Sequence, residues 1–330
     1  MFLTYFATLN PIAFFNALPS NIAQGLVWGV MALGLYITFR LLDFADLTVD
    51  GSIATGGAVT VMLTINGQNI WVALLVATLA GMLAGLCTGV LHTRFGIPPI
   101  LAGILTQIAL FSINLHILGG SNKALSVDKY NLILSSRNIP AAIVSAVLFC
   151  AALIAVMYWY FGTEQGSAIR ATGCNPAMSK AQGIDNDNME LIALSLSNGL
   201  VALSGGLLSQ FQGFADVNMG RGAIVIGLAA IIIGEVFCDA TFGKKANFAM
   251  KLSFVVFGAI VYYIVIGIVI WLRMDTNDLK LFTAIIVAIF LAVPYLRGQQ
   301  KNSFKMAGKK SAAALKAEAD KVAESEVKEV

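Results

Sequence analysis

Apolar residues in this chain come in blocks of about twenty, separated by short clusters of Gly, Pro, Asn, Asp, Lys and Arg. A block of that length spans a bilayer as a helix, which satisfies its own backbone hydrogen bonds where lipid offers none. The pattern predicts spans over residues 19–39, 50–65, 70–91, 97–118, 139–161, 189–212, 222–238, 248–271 and 279–296. The opening 1–18 is apolar but cut by Pro11 and Pro19, so it reads as an interfacial helix or half a span, and the count runs over about eight to ten. The predicted fold is an all-α polytopic membrane domain over 19–296. Residues 162–188 form a polar segment between two apolar blocks, and 297–330 a charged tail of Lys, Glu, Ala and Ser that reads as a solvated helix or a disordered end.

Composition agrees with the blocks. The 330 residues are 58% hydrophobic and 12% charged, with a mean hydropathy of +0.81, far from the roughly 25% charged residues of soluble domains. The tail carries the whole formal net charge of +3, so no basic patch for nucleic acid exists in the membrane part. Lys and Arg favour the cytoplasmic side, which sends the tail inside; counting back puts Arg40, Arg94, Arg170 and Lys180 inside and Lys123, Arg137 and Arg221 outside. Arg40 is the first basic residue, so no charged leader precedes the apolar start and a cleaved signal peptide is not expected. Cys87, Cys150, Cys174 and Cys238 lack metal-ligand spacing, and His92 and His116 stand alone at span ends; no metal or cofactor site is expected in this chain.

The polar segment holds "AIRATGCNPAMSKAQGIDNDNME", Ala168 to Glu190. Gly173 and Asn175-Pro176 form turns readily, and Asn175 as cap, Pro176 at the first position and Gly183 at the end predict a short helix lying along the membrane surface. A solvated connector without a partner is the alternative.

Within the apolar blocks the polar residues are few. Asp43, Asp46 and Asp50 lie beside apolar sequence, where a carboxylate needs water, a partner or a helix N-terminus. Asp43 and Asp46 are expected to pair with Arg40 or reach the interface. Asp50 is placed to cap the helix continuing through Ser52, which predicts a broken or re-entrant segment near residues 40–52. Gln107 and Asn114, seven apart, share one helix face with Gly103, and Ser195, Ser197, Asn198, Gln210 and Gln212 punctuate the sixth span. Hydrogen bonds between helices and a polar route for a solute explain these amides equally well. Gly81, Gly85 and Gly89 give the third span a smooth stripe for close packing, and Glu235 is expected in an ion pair near Lys244 or Lys245. A short echo joins two regions: each begins Gly-Leu-Val, at Gly25 and Gly199, and reaches Phe-Ala-Asp, at Phe44 and Phe214, on opposite sides of the membrane, as in inverted repeats of transporters.

The run "RATGCNPAMSKAQGID" resembles the cytoplasmic coupling loop in permease subunits of ATP-binding-cassette (ABC) importers of the branched-chain amino acid and ribose type. The stretches Gly25 to Ser52, His92 to Gly120 and Ser197 to Glu235 are similar to the branch paired with tryptophan- and tyrosine-type binding lipoproteins. The resemblance implies a bacterial plasma-membrane permease, two copies facing a cytoplasmic ABC ATPase dimer, with an extracytoplasmic lipoprotein delivering an aromatic amino acid. It also implies that Arg170, Gly173, Asn175, Pro176, Lys180 and Gly183 form the ATPase-coupling surface, and it leaves Asp50, Gln107, Asn114, Asn198 and Gln210 as candidates for the substrate pathway. ATP and Mg2+ belong to the partner ATPase, because the chain has no Gly-x-x-x-x-Gly-Lys-Ser/Thr loop; its nearest string, "AGKKS" at 307–311, lacks the spacing. Branched-chain amino acids, nucleosides or a vitamin remain alternative cargoes, and an ion-coupled carrier is a remoter alternative whose only coupling acid would be Asp50.

Overall fold

A computed structural model describes residues 11–127, 129–243 and 246–272, together with Leu281, Ala284, Ile285 and Ala288. The tail 297–330 and nearly all of the expected span 279–296 lie outside the described residues, as do Lys244 and Lys245. The first helix, α1 (Pro11–Tyr36), runs on into a π-helical turn at Ile37–Leu41. It is followed by α2 (Val49–Ile65), α3 (Ile70–Thr93), α4 (Pro99–Leu118), α5 (Ile139–Phe161), the two short helices α6 (Glu164–Cys174) and α7 (Pro176–Ala181), and then α8 (Asn186–Gln212), α9 (Ala223–Thr241) and α10 (Phe248–Trp271). Pro19 falls inside α1, so residues 11–18 belong to the first helix and are not a separate interfacial segment.

Among the described residues seven helices are long and apolar enough to cross a membrane: α1, α3, α4, α5, α8, α9 and α10. The α1 and α8 spans are 83% and 72% buried, against 17% for α5, which makes the first two the centre of the bundle and the last its periphery. Leu75, Leu83, Ile108, Leu148 and Trp159 point outward on α3, α4 and α5, an apolar exterior suited to lipid.

Small residues set the helix spacing. A Cβ at Gly81 or Gly85 of α3 would run into the backbone of Asn198 or Leu194 on α8, and one at Gly205 of α8 into Ile53 on α2. The glycine stripe on α3 is therefore a packing face, as small residues at membrane helix contacts generally are. Ser197 and Ser204 of α8 donate to the carbonyls of Gly34 and Val27 on α1 at 2.8 Å. These pairings run α1 antiparallel to α8.

The 17-residue α2 is short because it starts inside the bundle. Ser52 meets Asn198 near the middle of α8, Gly56 meets Ala202, and Thr60 meets Gly206, so α2 rises parallel to the second half of α8 only. The chain reaches this point through an irregular stretch, 42–48, in which Asp43 takes a φ of 56° and Asp46 accepts from Thr48 N at 2.9 Å. The break predicted near 40–52 is present. On the other side of the bundle, α8 ends at Gly213, Asp216 accepts from Asn218 N at 2.7 Å, and α9 begins beside Asp50. Both Phe-Ala-Asp strings thus follow a long helix, turn on the aspartate and lead into a helix that starts part-way through the bundle. From that shared level α2 runs towards Asn69, while α9 runs back to the end where Glu235 meets Arg40. The second string also pairs with β1 (Asn122–Ala124) as β2 (Phe214–Asp216), a two-strand ribbon over a small core of Ala58, Val61, Leu118 and Leu125.

Candidate functional site

Two regions hold the residues singled out from the sequence. The first is the elbow formed by α6 and α7. Thr163 opens α6 by accepting from Gly166 N at 3.4 Å. Asn175, with extended backbone, both ends α6 and opens α7, its Oδ1 accepting from Met178 N at 3.0 Å, and Pro176 occupies the first helical position, where its missing N–H costs nothing. Gly183 adopts a φ of 83°, the left-handed turn that lets Ile184 N return to the Ser179 carbonyl at 3.2 Å.

One face of α7 is anchored and the rest is free. Ser179 is buried, its hydroxyl 3.3 Å from that of Thr172, and Asn186 donates to the Pro176 carbonyl at 2.8 Å. Met178 and Lys180 are exposed. Gly173 presses α6 on the end of α1: a Cβ there would collide with the Leu41 carbonyl oxygen. Arg170 is half-buried, donating from Nη2 to Ser167 Oγ at 3.2 Å, with its Nε buried and unpartnered. The elbow is therefore a rigid projection in contact with the residues just before the break in the bundle.

The second region lies at that break. A cavity of about 300 Å3 is bounded by α2, α4 and the start of α9, with Asp50, Gln107, Asn114 and Arg221 as its polar lining and Ile108, Phe111 and Val217 as its apolar lining. Asp50 does not cap its own helix. Its Oδ2 accepts from Gly222 N and its Oδ1 from Ile224 N, both at 3.0 Å, so the carboxylate caps α9 from across the bundle, where the helix dipole favours negative charge. The reason is spacing: Asp50 lies inside the first turn of α2, and Gly220, packed on the Asp50 backbone, brings the α9 start within reach. Asn114 is fully buried, and neither its Oδ1 nor its Nδ2 has a hydrogen-bond partner among the described residues.

Asn198 and Gln210 sit elsewhere. Asn198 accepts from Ser52 Oγ and donates to Asp46 Oδ2, both at 2.6 Å, and donates to the Leu194 carbonyl at 3.0 Å. Gln210 is buried and accepts from Ile133 N at 3.1 Å. The Gln210 Nε2 has no partner among the described residues. Of the two expectations for Asp43 and Asp46, pairing with Arg40 is not seen among the described residues and exposure holds for Asp43 alone; Arg40 meets Glu235 at 2.7 Å, and Asp46 is buried against Asn198, because the 42–48 stretch turns inward while Arg40 stays at the bundle end. Sequence reasoning missed Arg221 as a cavity residue, although a cation between Gly220 and Gly222 at the head of an apolar block was a visible signal. It also missed the hydroxyl chain in which Thr88 lies 2.6 Å from Thr48 and donates to Thr106 at 2.9 Å, since threonine in an apolar helix usually bonds its own backbone.

The family described as branched-chain amino acid transport system, permease component, matches residues 19–294. A tyrosine transport system permease protein of Clostridioides difficile (strain R20291) is 38% identical over 284 residues, covering 86% of this chain and 93% of that one. The fructose import permease protein FruF of Bifidobacterium longum (strain NCC 2705) is 27% identical over 164 residues, 48% of this chain and 45% of its own. The autoinducer 2 import system permease protein LsrC of Yersinia pestis (strain Pestoides F) is 32% identical over 161 residues, with the same two shares.

Proposed function

This chain belongs to the family of branched-chain amino acid transport system permease components, and from that membership we propose that it is the permease of an ABC importer for an aromatic amino acid, tyrosine foremost. As an ABC-importer permease it works with an ATPase and a binding protein; as a finer reading, two copies line one pathway, a lipoprotein delivers the cargo, and the elbow and the C-terminal tail face the cytoplasm. The tyrosine reading draws on the C. difficile relative, whose likeness extends over most of both chains.

The observation that carries the coupling role is the mounting of α7. An exposed, doubly capped helix held at Ser179 and Asn186 suits a groove on a separate ATPase, and its companion α6 touches Leu41 at Gly173. Movement imposed on α7 passes through that contact to the 42–48 turn, and from there to Asp50 and the start of α9. In this mechanism ATP closes the ATPase dimer, the elbow moves with it, and α2 and α9 reorient to open the pathway to the other side. No covalent chemistry takes place in this chain.

The test is reconstitution of the permease with its ATPase and binding protein in liposomes. ATP-dependent accumulation of labelled tyrosine is expected, and calorimetry of the binding protein is expected to show Tyr, Trp or Phe among twenty amino acids and nucleosides. A binding protein silent towards all three removes the aromatic cargo; accumulation that proceeds without ATP removes the transporter class.

A further inference from the structure

We propose that the cavity between α2, α4 and the start of α9 is a transit site for the zwitterionic head group of an amino acid, with Asp50 facing the ammonium, Arg221 the carboxylate, and Asn114 bonding either. This rests on the amino-acid reading above and goes beyond it by placing the solute on named residues.

Three observations converge on this cavity. Asn114 is 0% exposed and borders the cavity, and neither polar atom of its amide has a partner among the described residues. A buried amide with neither atom bonded is unusual; the buried Asn198 amide bonds through both its atoms, and Gln210 through its Oε1. An open donor and acceptor at one point suit a ligand that brings both. The charges are complementary as well: one carboxylate, Asp50, and one guanidinium, Arg221, border the same space, and Arg221 makes no ion pair with a described residue. Asp50 spends one lone pair of each oxygen on α9, which leaves others for an ammonium group. Finally, Ile108, Phe111 and Val217 supply an apolar wall for the rest of the solute, and a volume of about 300 Å3 is at the small end of ligand pockets. A neutral sugar or nucleoside has no use for two opposed charges bordering one cavity.

A two-charge site of this kind also explains why Asp50 holds the α9 start. Two backbone N–H groups of α9 donate to the carboxylate; an arriving ammonium shares it, so binding biases the contact between α2 and α9 that must loosen for passage.

The test uses the complete importer in liposomes, with the binding protein loaded with tyrosine, and compares wild type with Asn114→Leu and Arg221→Gln. Each variant is expected to lower maximal uptake by roughly tenfold or more while leaving the half-saturating concentration of loaded binding protein unchanged. Their thermal unfolding midpoints should stay within about 2 °C of wild type, because a buried amide without partners and an exposed side chain contribute little to the fold. If wild type accumulates amino acid and both variants match it, the transit site is overturned and the importer reading stands. Should wild type accumulate no amino acid at all, both fall together. Arg221→Gln alone decides the matter if Asn114→Leu does not insert, since its side chain lies at the surface.

Discussion

The seam between α2 and α8 and the cavity beside it each bury an asparagine completely, and the two are opposites. Asn198 in the seam makes three hydrogen bonds, to Ser52, Asp46 and Leu194. Asn114 in the cavity makes none. Burial therefore does not distinguish these two amides; their hydrogen bonding does, and Gln210 lies between them, its Oε1 bonded to Ile133 N and its Nε2 without a partner among the described residues. The elbow falls with the seam, since Asn175, Thr172, Ser179 and Asn186 bond one another and the backbone, leaving Arg170 Nε as the loose end.

Substitutions that treat the two regions alike should therefore give unlike results. The largest effect is expected at Asn198→Leu, which strands the buried Asp46 carboxylate; loss of a partner from a buried charged network costs about 3–5 kcal/mol, visible as failure to purify or a much lower unfolding midpoint in detergent. An Asn198→Leu protein as stable as wild type would erase the distinction. Next is Gly205→Val, whose Cβ would run into the Ile53 backbone; overpacking of this kind costs about 1–3 kcal/mol, and the same measurement reads it. Asn175→Ala removes a cap worth about 1 kcal/mol, confined to α7, so hydrogen exchange should speed up at Met178 and its neighbours while the spans stay protected. The smallest change belongs to Asn114→Leu, within about 0.5 kcal/mol of wild type or slightly stabilising. A clear destabilisation there would move Asn114 to the structural side of the comparison.

Much of the fold was legible because it rests on local pattern. Apolar block length gave the helices, and the Asn-Pro and Gly183 signals gave α7 its limits, since caps and turns act through residues within one turn of chain. The break before α2 was legible from Asp50 for a partly mistaken reason: an acid at the head of an apolar helix does mark a helix start, but the N-terminus it serves belongs to α9, 172 residues further along. Long-range partnerships of this kind leave no trace in spacing. For the same reason Asn114, Asn198 and Gln210 looked interchangeable in the sequence, each an amide among Leu, Ile and Val. Only Gln107 and Asn114 were joined correctly, because a seven-residue interval keeps two side chains on one helix face. The Phe-Ala-Asp echo was legible as letters, while its meaning, two helices starting from one level and running in opposite directions, required the path of the chain through the bundle.

The claim that most depends on a partner is that the elbow is where an ATPase takes hold. In the assembled importer, with the four native cysteines replaced, Met178→Cys offers a thiol at a position that is 58% exposed, and Trp71→Cys offers one at the opposite end of the bundle, 59% exposed. A short thiol-to-thiol cross-linker paired with single cysteines along the ATPase surface should join Met178→Cys to the ATPase, in a yield that changes when ATP is added, and should leave Trp71→Cys unjoined. Cross-linking at position 71 with none at 178 would contradict the account.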